Sequence, residues 1–284
     1  MTTTGRAVEQ FRSPSQAPAE PMRGSTLSVV SHGHGPLLDQ LLRDLATQEG
    51  IAEHLVIVTL NRADEMFDES AHPGVRILVV RNIKPRGFAA NHNAAFRRSV
   101  GTWFAVLNPD LRLPDRGTLR RLFAAAPTAA SQVALRAPVV LNSAGCPEDS
   151  VRTNLSPLSL LRRAAGLDRR PRRPEGPIRR GEPFFWLAGM LLVIDRTVFQ
   201  QIGGFDERYF LYCEDCDLCA RLYVAGFTLE LEGAVQVIHD AQRDSHRSLK
   251  HLRWHLSSLA KYWTSKAFWD VVMLSPRTGR APRG

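Results

Sequence analysis

Between Leu27 and Leu107, short apolar β-prone runs alternate with segments of helical spacing, and this alternation constrains the chain more than any other feature of it. The runs are Leu27 to Ser31, Leu55 to Thr59, Val75 to Val80 and Trp103 to Leu107. Their hydrophobicity is nearly continuous, which is the pattern of strands buried on both faces. After the first run, Pro36 takes a first-turn position, and Leu37, Leu38, Leu41, Leu42 and Leu45 keep the spacing of one helical face. Gly87 to Ser99 reads as a second helix, Asp115 to Ala125 as a third, and Gln132 to Leu141 as a further strand. Such alternation builds βαβ units and implies an α/β fold with a mostly parallel central sheet and helices on both faces.

The second half is less regular. From Val151 to Glu182, nine arginines are set among Pro and Gly against three acids, which predicts a mobile surface loop over 152–183. Order is expected to resume at Phe184, with a strand at Met190 to Ile194, a turn at Gly203-Gly204 and a helix from Asp215 to Ala225. Short strands at Phe227 to Leu231 and Ala234 to Ile238 and a last helix from Ser248 complete the pattern. The expected organisation is a Thr/Pro/Ala-rich disordered leader over 1–25, one domain over 26–265 and a tail over 266–284.

Charge and cysteine usage bound the function. The chain holds 37 Lys+Arg against 28 Asp+Glu, a net charge of +9, so a dominant partner should be anionic. Four Cys in 284 residues do not make a disulfide framework, which indicates a reducing compartment. The longest apolar stretch, Phe184 to Ile194, is about half of the ~20 residues that a spanning helix needs. A cytoplasmic protein, peripheral at the inner membrane face at most, is expected.

Three groups of residues carry chemistry. Leu107-Asn108-Pro109-Asp110 closes a strand with a carboxylate at the carboxyl end of a parallel sheet, where open α/β folds place ligands. One such Asp suffices for Mg²⁺ or Mn²⁺, whose shell substrate phosphates complete, although Asn-Pro-Asp is also an ordinary turn. Glu214, Asp215 and Asp217 crowd a helix start just after Tyr209-Phe210-Leu211. They either complement the helix dipole or supply a base whose proton affinity an apolar wall raises. Val235 to Ile238 is an apolar run that ends in His239, a residue of interest only if it converges with Asp110.

In this order, with Gly189 before a β-run and Gly203-Gly204-Phe205-Asp206 before the acids, these features resemble the family-two inverting glycosyltransferases of the GT-A fold. The likeness is to the rhamnosyltransferase-like branch, spans about residues 26–265 and is most specific in Trp186 to Arg221 and Leu107 to Asp110. It implies a Rossmann-like nucleotide-diphospho-sugar transferase fold and a cell-envelope glycan role. The donor would be a nucleoside-diphosphate sugar, the acceptor a glycan or lipid-linked glycan, and the cofactor Mg²⁺ or Mn²⁺. By the same resemblance Asp110 and His239 hold the metal, Asp215 is the catalytic base with Glu214 beside it, and Trp186 and Gly189 line the acceptor side. Ser31, Asn61, Asn91, Asn93, Asn108 and Asp110 form the donor side. Two departures stand out. The first strand leads into Ser31-His32-Gly33-His34 in place of a Tyr-Asn or His-Asn pair. The second ends Thr59-Leu60-Asn61-Arg62 in place of Asp-Asn-x-Ser, which leaves Asn61 as the hydrogen-bond partner for the base.

Two other classes compete. Cys213, Cys216 and Cys219 have the two-residue gaps of an iron–sulfur site but lack a neighbouring fourth Cys. The Arg-rich segment invites nucleic acid, yet it contains no aromatic residue to stack on bases. Finally, Leu249, Leu252, Leu256, Leu259 and Trp263 stripe the last helix beside Lys250, Arg253 and Lys261, the pattern either of a core-facing helix or of contact with an anionic membrane.

Overall fold

The computed structural model describes residues 24–124, 133–166, 173–174, 176–240 and 249–276. The leader, apart from its last two residues, and the end of the tail lie outside the described residues.

The chain runs β1 (Thr26–Ser31), α1 (Gly35–Ala46), β2 (Leu55–Leu60), β3 (Ile77–Arg81), α2 (Phe88–Phe96), β4 (Trp103–Leu107), β5 (Leu111–Arg112), α3 (Thr118–Phe123) and β6 (Val133–Asn142). It continues through β7 (Val151–Thr153), α4 (Pro157–Ala164), β8 (Phe185–Leu187), β9 (Leu191–Asp195), α5 (Arg196–Gln201), α6 (Glu214–Val224), β10 (Thr228–His239), α7 (Leu249–Trp263) and α8 (Lys266–Leu274). Eight strands form one sheet in the order β3-β2-β1-β4-β9-β6-β10-β5, and β7 pairs with β8 separately. Four of the seven neighbouring pairs in the large sheet are parallel. The exceptions are β9, antiparallel to both β4 and β6, and β5, antiparallel to β10.

The apolar runs are continuous because both faces are covered. On β4, Trp103, Ala105 and Leu107 join a core with Leu38, Leu41, Leu42 and Leu45 of α1 and Leu119 and Leu122 of α3. Phe104 and Val106 point the other way, into a core shared with Phe199, Leu218, Leu222, Tyr262 and Phe268 from α5, α6, α7 and α8. The period-two alternation of a strand thus feeds two helix layers.

Three expectations change. The 152–183 segment is not all loop: β7 lies in it, and Ser156 caps α4 by accepting from Ser159 N–H at 3.1 Å, with Pro157 in the first turn. The expected tail holds α8, whose Phe268 and Val271 are buried. The two short strands at 227–238 are one strand, β10, with a register shift between Glu232 and Gln236 that accommodates Gly233.

Candidate active site

Topology gathers the chemistry at one sheet edge. β1, β2 and β4 are parallel, and β9, antiparallel to both β4 and β6, restores that direction in β6 and β10. Ser31, Asn61, Asn108 and His239 therefore all stand at carboxyl ends. The short β5 then crosses to pair with β10, Leu111 opposite His239, and Asp240 N–H donates to Asp110 O at 2.9 Å. This crossover brings Asp110 to His239.

His239 is held between two carboxylates. Its Nε2 lies 3.2 Å from Asp110 Oδ2, and its Nδ1–H donates to Glu148 Oε2 at 2.8 Å. Burial alone would lower the proton affinity of this imidazole, but the hydrogen bonds and charges of Asp110 and Glu148 outweigh it and raise its pKa to about 8. Asp110 Oδ1 is buried and has no protein partner. An orphaned carboxylate oxygen beside an imidazole is a donor set suited to a hard divalent cation that draws its remaining ligands from phosphate and water. Among the described residues no cage of three or more ligating side chains is formed, so Asp110 and His239 would be a two-ligand site that needs the nucleotide to complete it. Glu148 was missed by sequence reasoning. It follows Cys146-Pro147 at a turn where Leu141 pairs with Pro147, and no motif marks it.

The second cluster begins with two non-glycine residues in left-handed conformation, Tyr212 (φ 73°) and Cys213 (φ 66°), each a cost of about 1–3 kcal/mol. Tyr212 Oη bonds His251 Nδ1 at 2.8 Å across to α7, and this helps hold the kink. α6 then starts with Glu214, so the acids sit in its first turn. Asp215 Oδ2 accepts from Gly189 N–H at 2.8 Å and Oδ1 accepts from Cys216 N–H at 2.8 Å. Since Asn108 N–H donates to Met190 O at 2.9 Å, Gly189 ties Asp215 to the same sheet edge as Asp110. Burial pushes the Asp215 carboxyl up, opposed by the bonds from Gly189 and Cys216 and by the Arg152 charge. Glu214 is buried with Oε2 unpartnered, and burial, then the charge of Asp215, pushes it well above the carboxylate range. Asp217 is structural: it pairs with Arg221 at 2.7 Å, and Arg221 donates to Ile202 O and Gly204 O.

The remaining expected residues divide. Asn61 and Asn91 are buried and spend their amides on the β3–α2 connection: Asn61 bonds Arg86 N and O, and Asn82 bridges the two side chains at 2.8 and 2.7 Å. Asn93 clasps the Phe205 backbone, accepting at 3.0 Å and donating at 2.8 Å. The side-chain amides of these asparagines are thus engaged in holding backbone and one another. Ser31 donates to buried Glu65, which also accepts from Gly33 N–H at 3.1 Å. Glu65 is thus an acid at the first two strand ends that sequence reasoning overlooked. Trp186 is buried, with its indole N–H on Thr153 O at 3.0 Å, and supports the guanidinium of Arg152, 5.3 Å above its ring, so no open face is left for stacking a sugar.

The family described as glycosyltransferase like family 2 matches residues 23–255. The chain belongs to that family. It is a glycosyltransferase. Among curated relatives it is 28% identical over 250 residues to the rhamnosyltransferase WbbL of Escherichia coli, covering 84% of this chain and 92% of that protein. It is also 28% identical over 258 residues to the N-acetylglucosaminyl-diphospho-decaprenol L-rhamnosyltransferase of Mycobacterium tuberculosis, covering 81% and 80%. Of solved structures, the mannosyltransferase PcManGT of Pyrobaculum calidifontis with GDP-Man and Mn²⁺ matches with TM-score 0.57 at 18% identity, covering 86% of this chain and 66% of that one. TarS of S. aureus, residues 1–349 with UDP-GlcNAc, matches with TM-score 0.56 at 13% identity, covering 78% and 59%. The fold is GT-A.

The competing classes find no support. Cys213, Cys216 and Cys219 are buried in the apolar core, where burial pushes their thiols up, so they pack as small apolar groups. In the basic segment Arg152 and Arg163 are both paired with Asp149. Among the described residues no helix is long and apolar enough to cross a membrane.

Proposed function

We propose that this family-two enzyme transfers a deoxyhexose, L-rhamnose, from a nucleoside-diphosphate sugar to a hydroxyl of a lipid-linked glycan acceptor with inversion. The observation that carries the reading is Asp215, lodged at a helix start and fastened through Gly189 to the sheet edge where Asp110 meets His239. The two rhamnosyltransferase relatives, matched over most of their length, support the sugar, and the diphospho-decaprenol named for one of them supports the acceptor class.

In a single displacement the acceptor oxygen bonds the anomeric carbon as the bond from that carbon to the diphosphate oxygen breaks, and the acceptor proton passes to Asp215. Burial raises the proton affinity of Asp215 toward the range in which a base accepts a proton efficiently at neutral pH. Gly189 N–H aims one of its oxygens, leaving the carboxylate a fixed orientation. Asp110 and His239 would hold Mg²⁺ or Mn²⁺, the cation taking the place of the Nε2 proton, and Glu148, accepting from Nδ1–H, orients the ring with Nε2 toward Asp110. When bound, such a cation neutralises charge on the departing diphosphate. The acceptor side works at an anionic membrane face, a reading that the exposed Leu249, Leu252 and Leu256 of α7 support.

Asp215→Asn should keep nucleotide binding, measured by thermal shift with Mn²⁺, and lose transfer by about 10²- to 10⁴-fold. Wild-type turnover by Asp215→Asn, with Glu214→Gln inactive, would move the base to Glu214.

A further inference from the structure

An acceptor held against Asp215 has to be met by groups beyond the base, and two side chains flank it. β7 pairs with β8 so that Arg152 stands opposite Trp186. The guanidinium rests 5.3 Å from the centre of that ring, and its Nε donates to Asp149 O at 2.9 Å, which fixes the fork from behind while a third of the side chain remains exposed. The next residues of the same strand pair lead to the base: Ala188 N–H donates to Ser150 O at 2.8 Å, and Gly189 N–H to Asp215. From the other side, α7 sets His255 edge-on against the Tyr212 ring, with centroids 5.3 Å apart, three residues before Asp215. The Arg152 charge reaches both groups: it opposes the rise that burial gives the Asp215 carboxyl and, after burial, lowers the proton affinity of His255.

We propose that Arg152, with His255 opposite, binds the diphosphate of a lipid-linked acceptor and so holds the acceptor hydroxyl against Asp215. The proposal rests on the reading of Asp110 and His239 as the donor site and of Asp215 as the base. A diphosphate presents paired oxygens with several negative charges, the geometry that a planar guanidinium fork accepts in bidentate fashion. Leu252, three residues before His255 and so on its face of the helix, is exposed, as is Leu256 one turn beyond Leu252, and the two leucines offer an apolar surface for the first units of a prenyl chain. A donor diphosphate has its own site at Asp110 and His239, and Arg152, although its Nε is paired with Asp149 at 3.2 Å, is a third exposed and can meet a second diphosphate with the rest of its fork.

The test is calorimetric titration of the full chain with farnesyl diphosphate and, separately, inorganic diphosphate. The donor side is first saturated with whichever of dTDP, UDP or GDP binds in the presence of Mn²⁺, and each titrant is pre-equilibrated with the same cation. Farnesyl diphosphate should bind the wild type without displacing the nucleotide, and more tightly than inorganic diphosphate does. Arg152→Gln should weaken it by about ten- to hundredfold, as loss of charged hydrogen bonds does, and Arg152→Lys by less, with nucleotide affinity unchanged in both as the check on folding. Equal affinity in wild type and Arg152→Gln overturns the site, and equal affinity for the two titrants overturns its lipid-linked ligand. Failure of every nucleotide to bind would instead overturn the donor-site reading on which the proposal rests.

Discussion

His239 takes its role from two neighbours, of which only one belongs to a motif. Asp110 is readable as the end of Asn-Pro-Asp, but Glu148, which orients the ring, comes from a turn with no pattern of its own. Asp110→Ala should abolish the stabilisation that Mn²⁺ adds to nucleotide binding in a thermal-shift assay, and His239→Ala should weaken it while leaving the apo melting temperature within a few degrees. Unchanged Mn²⁺ dependence in both would dismiss the pair as a cation site. A second residue-scale consequence concerns His92, buried on α2 with Nδ1 2.8 Å from Ser28 Oγ. Burial lowers its pKa to about 3, whereas in the unfolded chain it titrates near the ordinary ~6.5. Its contribution is fully present above pH ~6.5 and is lost as pH falls toward 3, at about 1.4 kcal/mol per pH unit, because only the unfolded state takes up the proton. Urea unfolding between pH 6 and pH 4 should show that slope in wild type, and His92→Gln should flatten it. An equal slope in both would refute the assignment.

At the scale of elements, the approach to α6 is held by a clasp around one turn. Asn93 grips the Phe205 backbone and Arg221, oriented by Asp217, grips Ile202 O and Gly204 O. Gly203 and Gly204 both have positive φ, 80° and 71°, but they differ in surroundings. A Cβ on Gly203 would meet nothing within 4 Å, whereas on Gly204 it would stand 2.6 Å from Asn93 Oδ1. Gly203→Ala should therefore cost about 1 kcal/mol of conformational strain and Gly204→Ala clearly more, read as a further drop of several degrees in Tm together with loss of transfer. Equal melting temperatures would show that the clasp is not rigid. The strands and helices that carry this architecture were legible because burial on two faces writes continuous apolar runs and helical periodicity. Elsewhere composition misled. The arginines of 152–183 hid α4, although Ser156-Pro157 is a helix start and Leu158 and Leu161 keep helical spacing. The glycine at 233 split β10 on paper, where the sheet absorbs it as a bulge. The roles of Asn61, Asn91 and Asn93 were not legible, since residue type cannot tell an amide that binds a ligand from one that ties down a loop.

For the molecule as a whole, the surface helices α4, α7 and α8 raise the question of what this side of the protein faces. Trp263 Nε1 donates to Leu155 O at 2.7 Å and Tyr262 Oη bonds Asn154 Oδ1 at 2.9 Å, so the end of α7 is joined to the start of α4, and α8 follows directly. Of the α7 stripe only Leu259 is buried; Leu249, Leu252 and Leu256 are 84%, 53% and 57% exposed, and Leu158 and Leu161 on α4 are exposed as well. The stripe is therefore only partly a core-facing helix. Lys250, Arg253 and Arg162 are neighbours of these leucines in a chain of net charge +9, and this is the ground for the proposed contact with an anionic lipid surface. Each basic residue near such a leaflet contributes roughly 1 kcal/mol, a share that salt screens, whereas inserted leucines contribute an apolar share that salt leaves in place. The protein should accordingly pellet with vesicles containing phosphatidylglycerol and not with pure phosphatidylcholine, and 0.5 M NaCl should release most of it. Leu252→Glu with Leu256→Glu should reduce pelleting at low salt while leaving nucleotide binding intact, because both side chains are exposed on α7. Pelleting with neither lipid would leave the apolar face without a membrane and confine the positive charge to the nucleotide and the acceptor diphosphate, and equal pelleting with both would remove the basic residues from the contact.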